Sequence, residues 1–411
     1  MSASSTYVIA GAGLAGAKAA EVLREEGFDG PVVLIGEETE RPYERPPLSK
    51  DYLLGKAERE TIYVHPPSWY ADNGVELRLG VTVKGIDPAA HEVGLVDGSR
   101  VRYAKLLLAT GSSPRRLPTP GADADGVLYL RRVADSDRIK AVFQTASRIA
   151  VIGAGWVGLE TAAAARAAGV EVTILETAAL PLLRVLGPEV AQVFAGLHRE
   201  HGVDLRLGVQ VSEITGSNGR ADGVRLADGS HVEADAVVVG VGITPNSQLA
   251  EAAGLATQNG IVVDARLRSS DPDIYAAGDV ASAYNPALGR HIRVEHWANA
   301  LNQPQAAARA MLGQDLAYDR LPYFYTDQYD LGMEYHGYVE PDGYDQVVFR
   351  GDVERREFIA FWLGGGRVLA GMNVNIWDAN DMIQALVRSG RTVDPDRLAD
   401  PSVPLDEVPG G

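Results

Sequence analysis

Short apolar runs of strand length alternate with stretches of helical period along most of this chain. Tyr7-Val8-Ile9-Ala10 predicts a strand, Ala17 to Glu26 a helix with Ala19, Ala20 and Leu23 at compatible spacing, and Val32-Val33-Leu34-Ile35 a second strand. The same order recurs at Arg148-Ile149-Ala150-Val151-Ile152, then an alanine-rich helix through Ala168, then Val170 to Leu175. Two more apolar strands, Lys105 to Leu108 and Ala236 to Val239, run into glycine turns, and each follows a hairpin signalled by Asp97-Gly98 or Asp228-Gly229. A last strand, Asp273 to Ala277, leads into Gly278-Asp279. From about Tyr318 the pattern changes. Tyr323-Phe324-Tyr325, Val347-Val348-Phe349-Arg350 and Phe358-Ile359-Ala360-Phe361-Trp362 are read as alternating strands of a short antiparallel sheet, followed by a helix from Asp378 to Ser389 and a proline-rich tail ending in Gly410-Gly411. The expected fold class is α/β: two Rossmann-like dinucleotide-binding domains plus a C-terminal α+β domain.

Both βαβ units carry the same turn. Gly11-Ala12-Gly13-Leu14-Ala15-Gly16 and Gly153-Ala154-Gly155-Trp156-Val157-Gly158 each sit between a strand and a helix. In such a turn the first glycine permits the bend, the second lets a pyrophosphate approach the backbone, and the third packs the helix on the sheet. Glu37 lies 21 positions beyond Gly16 and Glu176 lies 18 beyond Gly158, near the spacing of about 20 for a ribose-binding carboxylate. One such turn is weak evidence. Two, each in full context, predict two bound dinucleotides.

Composition narrows the chemistry. The 411 residues contain no cysteine, which excludes a disulfide, a thiolate metal site, a cysteine nucleophile and a redox dithiol. Electrons handled here must reside on a bound cofactor. A formal charge of −17 argues against a general nucleic-acid or anionic-membrane binder. No apolar run reaches the roughly 18 residues of a membrane helix, and Met1 to Ser5 lacks the pattern of a signal peptide, so a cytoplasmic protein is expected. His198 and His201 share a helical face, but no third ligand type lies nearby, and no metal site is expected.

Several motifs together resemble the FAD-dependent, NADH-using ferredoxin reductases of oxygenase systems. They are the two glycine turns, Arg45-Pro46-Pro47-Leu48-Ser49-Lys50, Ala109-Thr110-Gly111, Leu130-Arg131, Ile243-Thr244-Pro245-Asn246, Ala277-Gly278-Asp279 and Glu295-His296-Trp297-Ala298-Asn299-Ala300. Trp297 stands where some members carry an aliphatic residue, and the reductases of biphenyl-type dioxygenases match better there. The resemblance covers essentially the whole chain. It implies an FAD domain over 1–113 and 238–318, interrupted by an NAD domain over 114–237, and a C-terminal interface domain over 319–411.

For FAD, the resemblance points to Gly11, Gly13, Leu14, Ala15 and Gly16 at the pyrophosphate and Glu37 at the adenosine ribose. It adds Val83 through its backbone, Arg45, Lys50 and Arg131 toward the phosphate and flavin, Ala109, Thr110 and Gly111, Gly278 and Asp279 at the ribityl chain, and Trp297 beside the flavin ring. For NADH it points to Gly153, Gly155, Val157, Gly158, Glu176 and Gly242, with Trp156 either covering the nicotinamide pocket or packed as a core aromatic. Lys50 and Glu160 are the implied catalytic pair, the lysine favouring the electron-rich flavin and the glutamate keeping the lysine charged. The implied partner is a [2Fe–2S] ferredoxin feeding a cytochrome P450 or a Rieske oxygenase, with the reductase a monomer or homodimer. The rival readings are an NADH-responsive interaction flavoprotein resembling apoptosis-inducing factor and a quinone or rubredoxin reductase. The polar stretch from Arg388 to Gly411 offers a quinone reductase no apolar anchor. Arg290, His291 and Arg293 form the expected docking patch for an acidic ferredoxin.

Overall fold

The computed structural model describes residues 5–408, so Met1 to Ser4 and the closing Gly410-Gly411 lie outside the described residues. The chain divides into two compact units. One comprises the chain up to Glu44, Arg59–Ser113 and Thr244–Pro322, and the other comprises Arg45–Glu58, Pro114–Ile243 and the chain from Tyr323 onward.

The first unit is built on a five-stranded parallel sheet in the order Ile274–Ala276, Lys105–Leu108, Tyr7–Ala10, Val32–Gly36, Val75–Leu79. Val32–Gly36 is buried at every position, as expected of a parallel strand covered on both faces. One cover is the helix Leu14–Glu25, which packs against the helix Trp297–Met311. The predicted Asp97-Gly98 hairpin joins two strands of a small antiparallel sheet.

The second unit repeats the plan. Its parallel sheet runs Asp204–Leu207, Glu171–Glu176, Arg148–Ile152, Ala236–Val239, Val127–Tyr129. Ala236–Val239 is therefore an inner strand of this sheet, and the expected boundary at 237/238 moves to 243/244, because a cut at 238 would split a hydrogen-bonded strand.

The unit also holds a five-stranded antiparallel sheet in the order Tyr323–Gln328, Leu331–Gly337, Arg367–Val374, Glu357–Gly364, Gln346–Asp352. Phe358 to Trp362 reads as an alternating strand, yet in the strand Glu357–Gly364 all six residues from Phe358 to Leu363 are buried. Ile359, Phe361 and Leu363 pack with Ile383 and Leu386 of the helix Asn380–Ser389 and with the tail residues Leu398 and Leu405. Phe358, Ala360 and Trp362 face the other way, into a core shared with Val190 and Phe194 of the helix Leu183–Glu200. The Trp362 indole donates to the Leu186 carbonyl at 3.0 Å. The C-terminal segment is thus a middle layer whose second face packs on the nucleotide-turn residues of the same unit.

His198 on the helix Leu183–Glu200 has no exposed surface, and burial pushes its imidazole from 6.5 down to about 4. A histidine depressed on folding contributes stability that is intact above the unfolded value near 6.5 and lost as the pH falls toward 4. The thermal midpoint should therefore fall through this window, with a contribution from His198 of about 1.4 kcal/mol per pH unit. The His198→Gln variant should show a shallower decline. Parallel declines in variant and wild type would exclude the assignment.

Candidate functional site

The three glycines of each fingerprint turn have separate work. A Cβ on Gly11, whose φ is +122°, would stand 2.1 Å from the Ala109 carbonyl oxygen, and one on Gly16 would stand 2.0 Å from that of Gly11. The second turn repeats this: a Cβ on Gly153 would lie 2.4 Å from the Gly240 oxygen, and one on Gly158 would lie 2.1 Å from that of Gly153. Gly13 and Gly155 are different, because a Cβ there meets nothing within 4 Å. Each caps a twelve-residue helix with no side-chain hydrogen bond at the cap. Each leaves open space in front of first-turn N–H groups that have no intrahelical partner and attract an anion. Both turns fit a dinucleotide pyrophosphate.

This difference has a direct test. Gly16→Ala and Gly158→Ala should destabilise the fold, since a new methyl would collide with backbone. Gly155→Ala should leave folding and bound FAD intact while weakening NADH on the order of tenfold, about 1.4 kcal/mol by titration. Unchanged NADH affinity in that variant would remove the pyrophosphate from this position.

Around the first turn, Glu37 is exposed just past the strand Val32–Gly36, and Val83 is half-buried at the start of the strand Val83–Asp87. Ala109, Thr110 and Gly111 follow the strand Lys105–Leu108, where Thr110 exchanges hydrogen bonds with Asn246 at 2.8 and 2.9 Å. Asp279 is half-buried and accepts the Ser112 hydroxyl at 2.7 Å, while the N–H of Gly278 donates to Gln303 Oε1 at 2.8 Å. Trp297 opens its helix half-buried near Glu44, a carboxyl that burial raises above its usual range. Sequence reasoning missed Glu44, Ser112 and Gln303, which carry no local motif.

In the second unit, Glu176 ends the strand Glu171–Glu176. One of its oxygens accepts the Ala154 N–H at 2.7 Å, and the other accepts the Ala178 N–H at 2.8 Å and the Thr177 hydroxyl at 3.1 Å. The carboxylate is thereby pinned beside the glycine turn. Val157 is exposed on the first helical turn, and Gly242 adopts a φ of +97° with its carbonyl accepting the Arg115 N–H. Trp156 lies 5.6 Å from Phe194 and 5.1 Å from Phe324 between ring centroids. It is half-buried, with its apolar ring packed against the adjacent core.

Lys50 and Glu160, 110 residues apart, meet in this same unit. Lys50 Nζ donates to Glu160 Oε1 at 2.6 Å, the Ser49 hydroxyl donates to Oε2 at 2.5 Å, and the Thr326 hydroxyl donates to Oε1 at 2.5 Å. Glu160 is only 5% exposed. The stem of Lys50 is set by the 3-10 turn Pro46–Ser49, and its ammonium lies 5.4 Å from the Tyr325 ring centroid. Arg45, which opens that turn, donates to the Arg131 carbonyl. Thr326 was not foreseen, because nothing near it in sequence marks it.

The docking patch contracts. Arg290 and His291 are exposed on the strand Arg290–Arg293, but the Arg293 side chain is 9% exposed, ion-paired with Glu295 and bonded to Asn259 and the Asp279 carbonyl. A guanidinium already held by three partners inside the fold is a structural cation, so Arg293 leaves the patch. His198 hydrogen-bonds Gln328 and His201 stacks on Tyr329 at 3.7 Å.

Two dinucleotide turns, one with a carboxylate pinned beside it, and a buried lysine–glutamate pair define a pyridine-nucleotide-dependent flavoprotein oxidoreductase. The chain belongs to the pyridine nucleotide-disulphide oxidoreductase family, whose model matches residues 5–304, and residues 323–408 match the reductase C-terminal domain. It is 43% identical to the 5,5'-dehydrodivanillate O-demethylase ferredoxin reductase subunit of Sphingobium sp., over 98% of this chain and 97% of that one. It is 44% identical to the ferredoxin–NAD(+) reductase component of the anthranilate 1,2-dioxygenase system of Burkholderia cepacia, over 97% and 98%. The crystal structure of the covalent putidaredoxin reductase–putidaredoxin complex superposes with a TM-score of 0.94 at 39% identity, covering 98% of each chain. Among the described residues no helix is long and apolar enough to cross a membrane.

Proposed function

We propose that this protein is the NADH-dependent reductase of an oxygenase system, delivering electrons through FAD to a [2Fe–2S] ferredoxin that serves a cytochrome P450 or a Rieske oxygenase. The observation that carries this reading is the union of two open dinucleotide turns with a chain free of cysteine. A disulfide reductase on this framework needs a redox thiol, and none is present. FAD, when bound, supplies a ring that takes up a hydride and releases electrons one at a time. The chain's own residues hold and orient. The first-turn N–H groups after Gly13 and Gly155 take the pyrophosphates, and Glu37 and Glu176 take ribose hydroxyls. Asp279, steadied by Ser112, would hold a ribityl hydroxyl of FAD. Lys50, with Glu160 behind it, supplies a fixed positive charge for hydride transfer. The same reading places the protein in the cytoplasm, where NADH is supplied.

The test is cytochrome c reduction by NADH with and without an added [2Fe–2S] ferredoxin. Rapid reduction only in the presence of the ferredoxin is the expected result. A long-lived reduced protein–NAD complex that no ferredoxin oxidises would point to a partner-binding flavoprotein instead.

A further inference from the structure

The Lys50–Glu160 pair continues into the protein as a buried chain of hydrogen bonds. Glu160 Oε1 accepts the Thr326 hydroxyl at 2.5 Å, and Thr326 Oγ1 accepts Gln328 Nε2 at 3.2 Å. Gln328 Oε1 meets His198 Nε2 at 2.8 Å, and His198 Nδ1 lies 3.4 Å from the Tyr329 hydroxyl. Thr326 and Gln328 are each 1% exposed and His198 not at all.

The directions of these bonds follow from what each group can do. An ionised carboxylate only accepts, so the single Thr326 proton goes to Glu160. Thr326 must then accept from the amide nitrogen of Gln328, which turns the amide oxygen toward His198. That oxygen accepts only, so His198 carries a proton on Nε2, and burial, which lowers the imidazole to about 4, leaves Nδ1 bare toward Tyr329. Every link donates toward Glu160, and aligned donors polarise one another in a low-dielectric interior. Such a chain holds its terminal acceptor in one rotamer.

We propose that Thr326, Gln328 and His198 are positioning residues for Lys50, acting through Glu160 to present the ammonium at one place. This rests on the reading that the Lys50–Glu160 pair serves hydride transfer. Thr326 and Gln328 lie on the strand Tyr323–Gln328 and His198 on the helix Leu183–Glu200, so the C-terminal sheet reaches the pair through hydrogen bonds as well as through the Tyr325 ring.

The experiment compares Thr326→Val, Thr326→Ser, Gln328→Met, Lys50→Met and the wild-type holoenzyme. Stopped flow reads the limiting rate of flavin bleaching by NADH and the NADH dissociation constant. NMR reads the ¹⁵Nζ signal of Lys50, which survives solvent exchange only when the ammonium is held. Thr326→Val should lower the limiting rate about tenfold, the loss expected for one hydrogen bond to a charged group, with the dissociation constant unchanged, and should broaden the Lys50 signal. Thr326→Ser should restore both readouts. Gln328→Met, which keeps the hydroxyl, should show the same effects in smaller measure and serves if Thr326→Val does not fold. A wild-type rate and Lys50 signal in Thr326→Val and Gln328→Met, with Lys50→Met slow, would overturn the positioning chain alone. A wild-type rate in Lys50→Met would overturn the reading beneath it as well.

Discussion

NADH should bleach the flavin of this protein at least a hundredfold faster than NADPH at equal concentration. The Glu176 carboxylate is fixed by the N–H groups of Ala154 and Ala178 and by the Thr177 hydroxyl, so it cannot swing away from an approaching anion. Three of its roughly four acceptor sites are filled, and the one left on Oε2 suits a ribose hydroxyl. A 2′-phosphate would bring negative charge against it, and like charges juxtaposed at an interface cost several kcal/mol, on the order of a hundredfold or more in binding. Thr177-Ala178-Ala179-Leu180 supplies no cation to offset this. The double variant Glu176→Gln, Thr177→Arg removes one charge and adds the opposite one, and should narrow or reverse the preference. Stopped-flow bleaching with each coenzyme measures it. A wild-type protein using both within threefold would remove Glu176 from the ribose.

Lys50→Met should lower the limiting rate of hydride transfer about a hundredfold, the scale seen when a preorganised electrostatic partner is removed from a site, while the NADH dissociation constant changes little. Lys50 Nζ and Glu160 Oε1 are 2.6 Å apart with side chains 15% and 6% exposed, so the charge is oriented and largely screened from water. Glu160→Gln keeps the shape but removes the countercharge, and a fall of about tenfold is expected. Because the two residues act as one group, the double variant should be no slower than Lys50→Met. Single-turnover bleaching of the flavin by NADH reads all three. Multiplying effects would mean that the two residues act independently, and the pair would lose its role.

Much of this architecture was legible in the chain because its signals are local. A glycine turn, its strand and its helix lie within about 30 residues, and sterics at Gly11, Gly16, Gly153 and Gly158 leave the backbone few alternatives. The hairpins at Asp97-Gly98 and Asp228-Gly229 are of the same kind. The run Phe358 to Leu363 shows where reading for alternation fails. It is apolar at both parities, and the tertiary structure shows why: the strand is covered on two faces.

The sequence by itself determined two dinucleotide modules, the absence of thiol chemistry and the carboxylates at or just past the end of the second strand of each module. Tertiary structure alone decided which residues support them. Glu160 and Thr326 are 166 positions apart, yet their hydroxyl–carboxylate bond is among the most buried in its unit. Arg293 reads as a surface cation until Glu295, Asn259 and the Asp279 carbonyl surround it. The physical reason is common to both. A backbone turn is constrained by its own neighbours, whereas the partner of a charged or hydroxyl side chain is chosen by whichever distant strand or loop the packed core brings within hydrogen-bond distance.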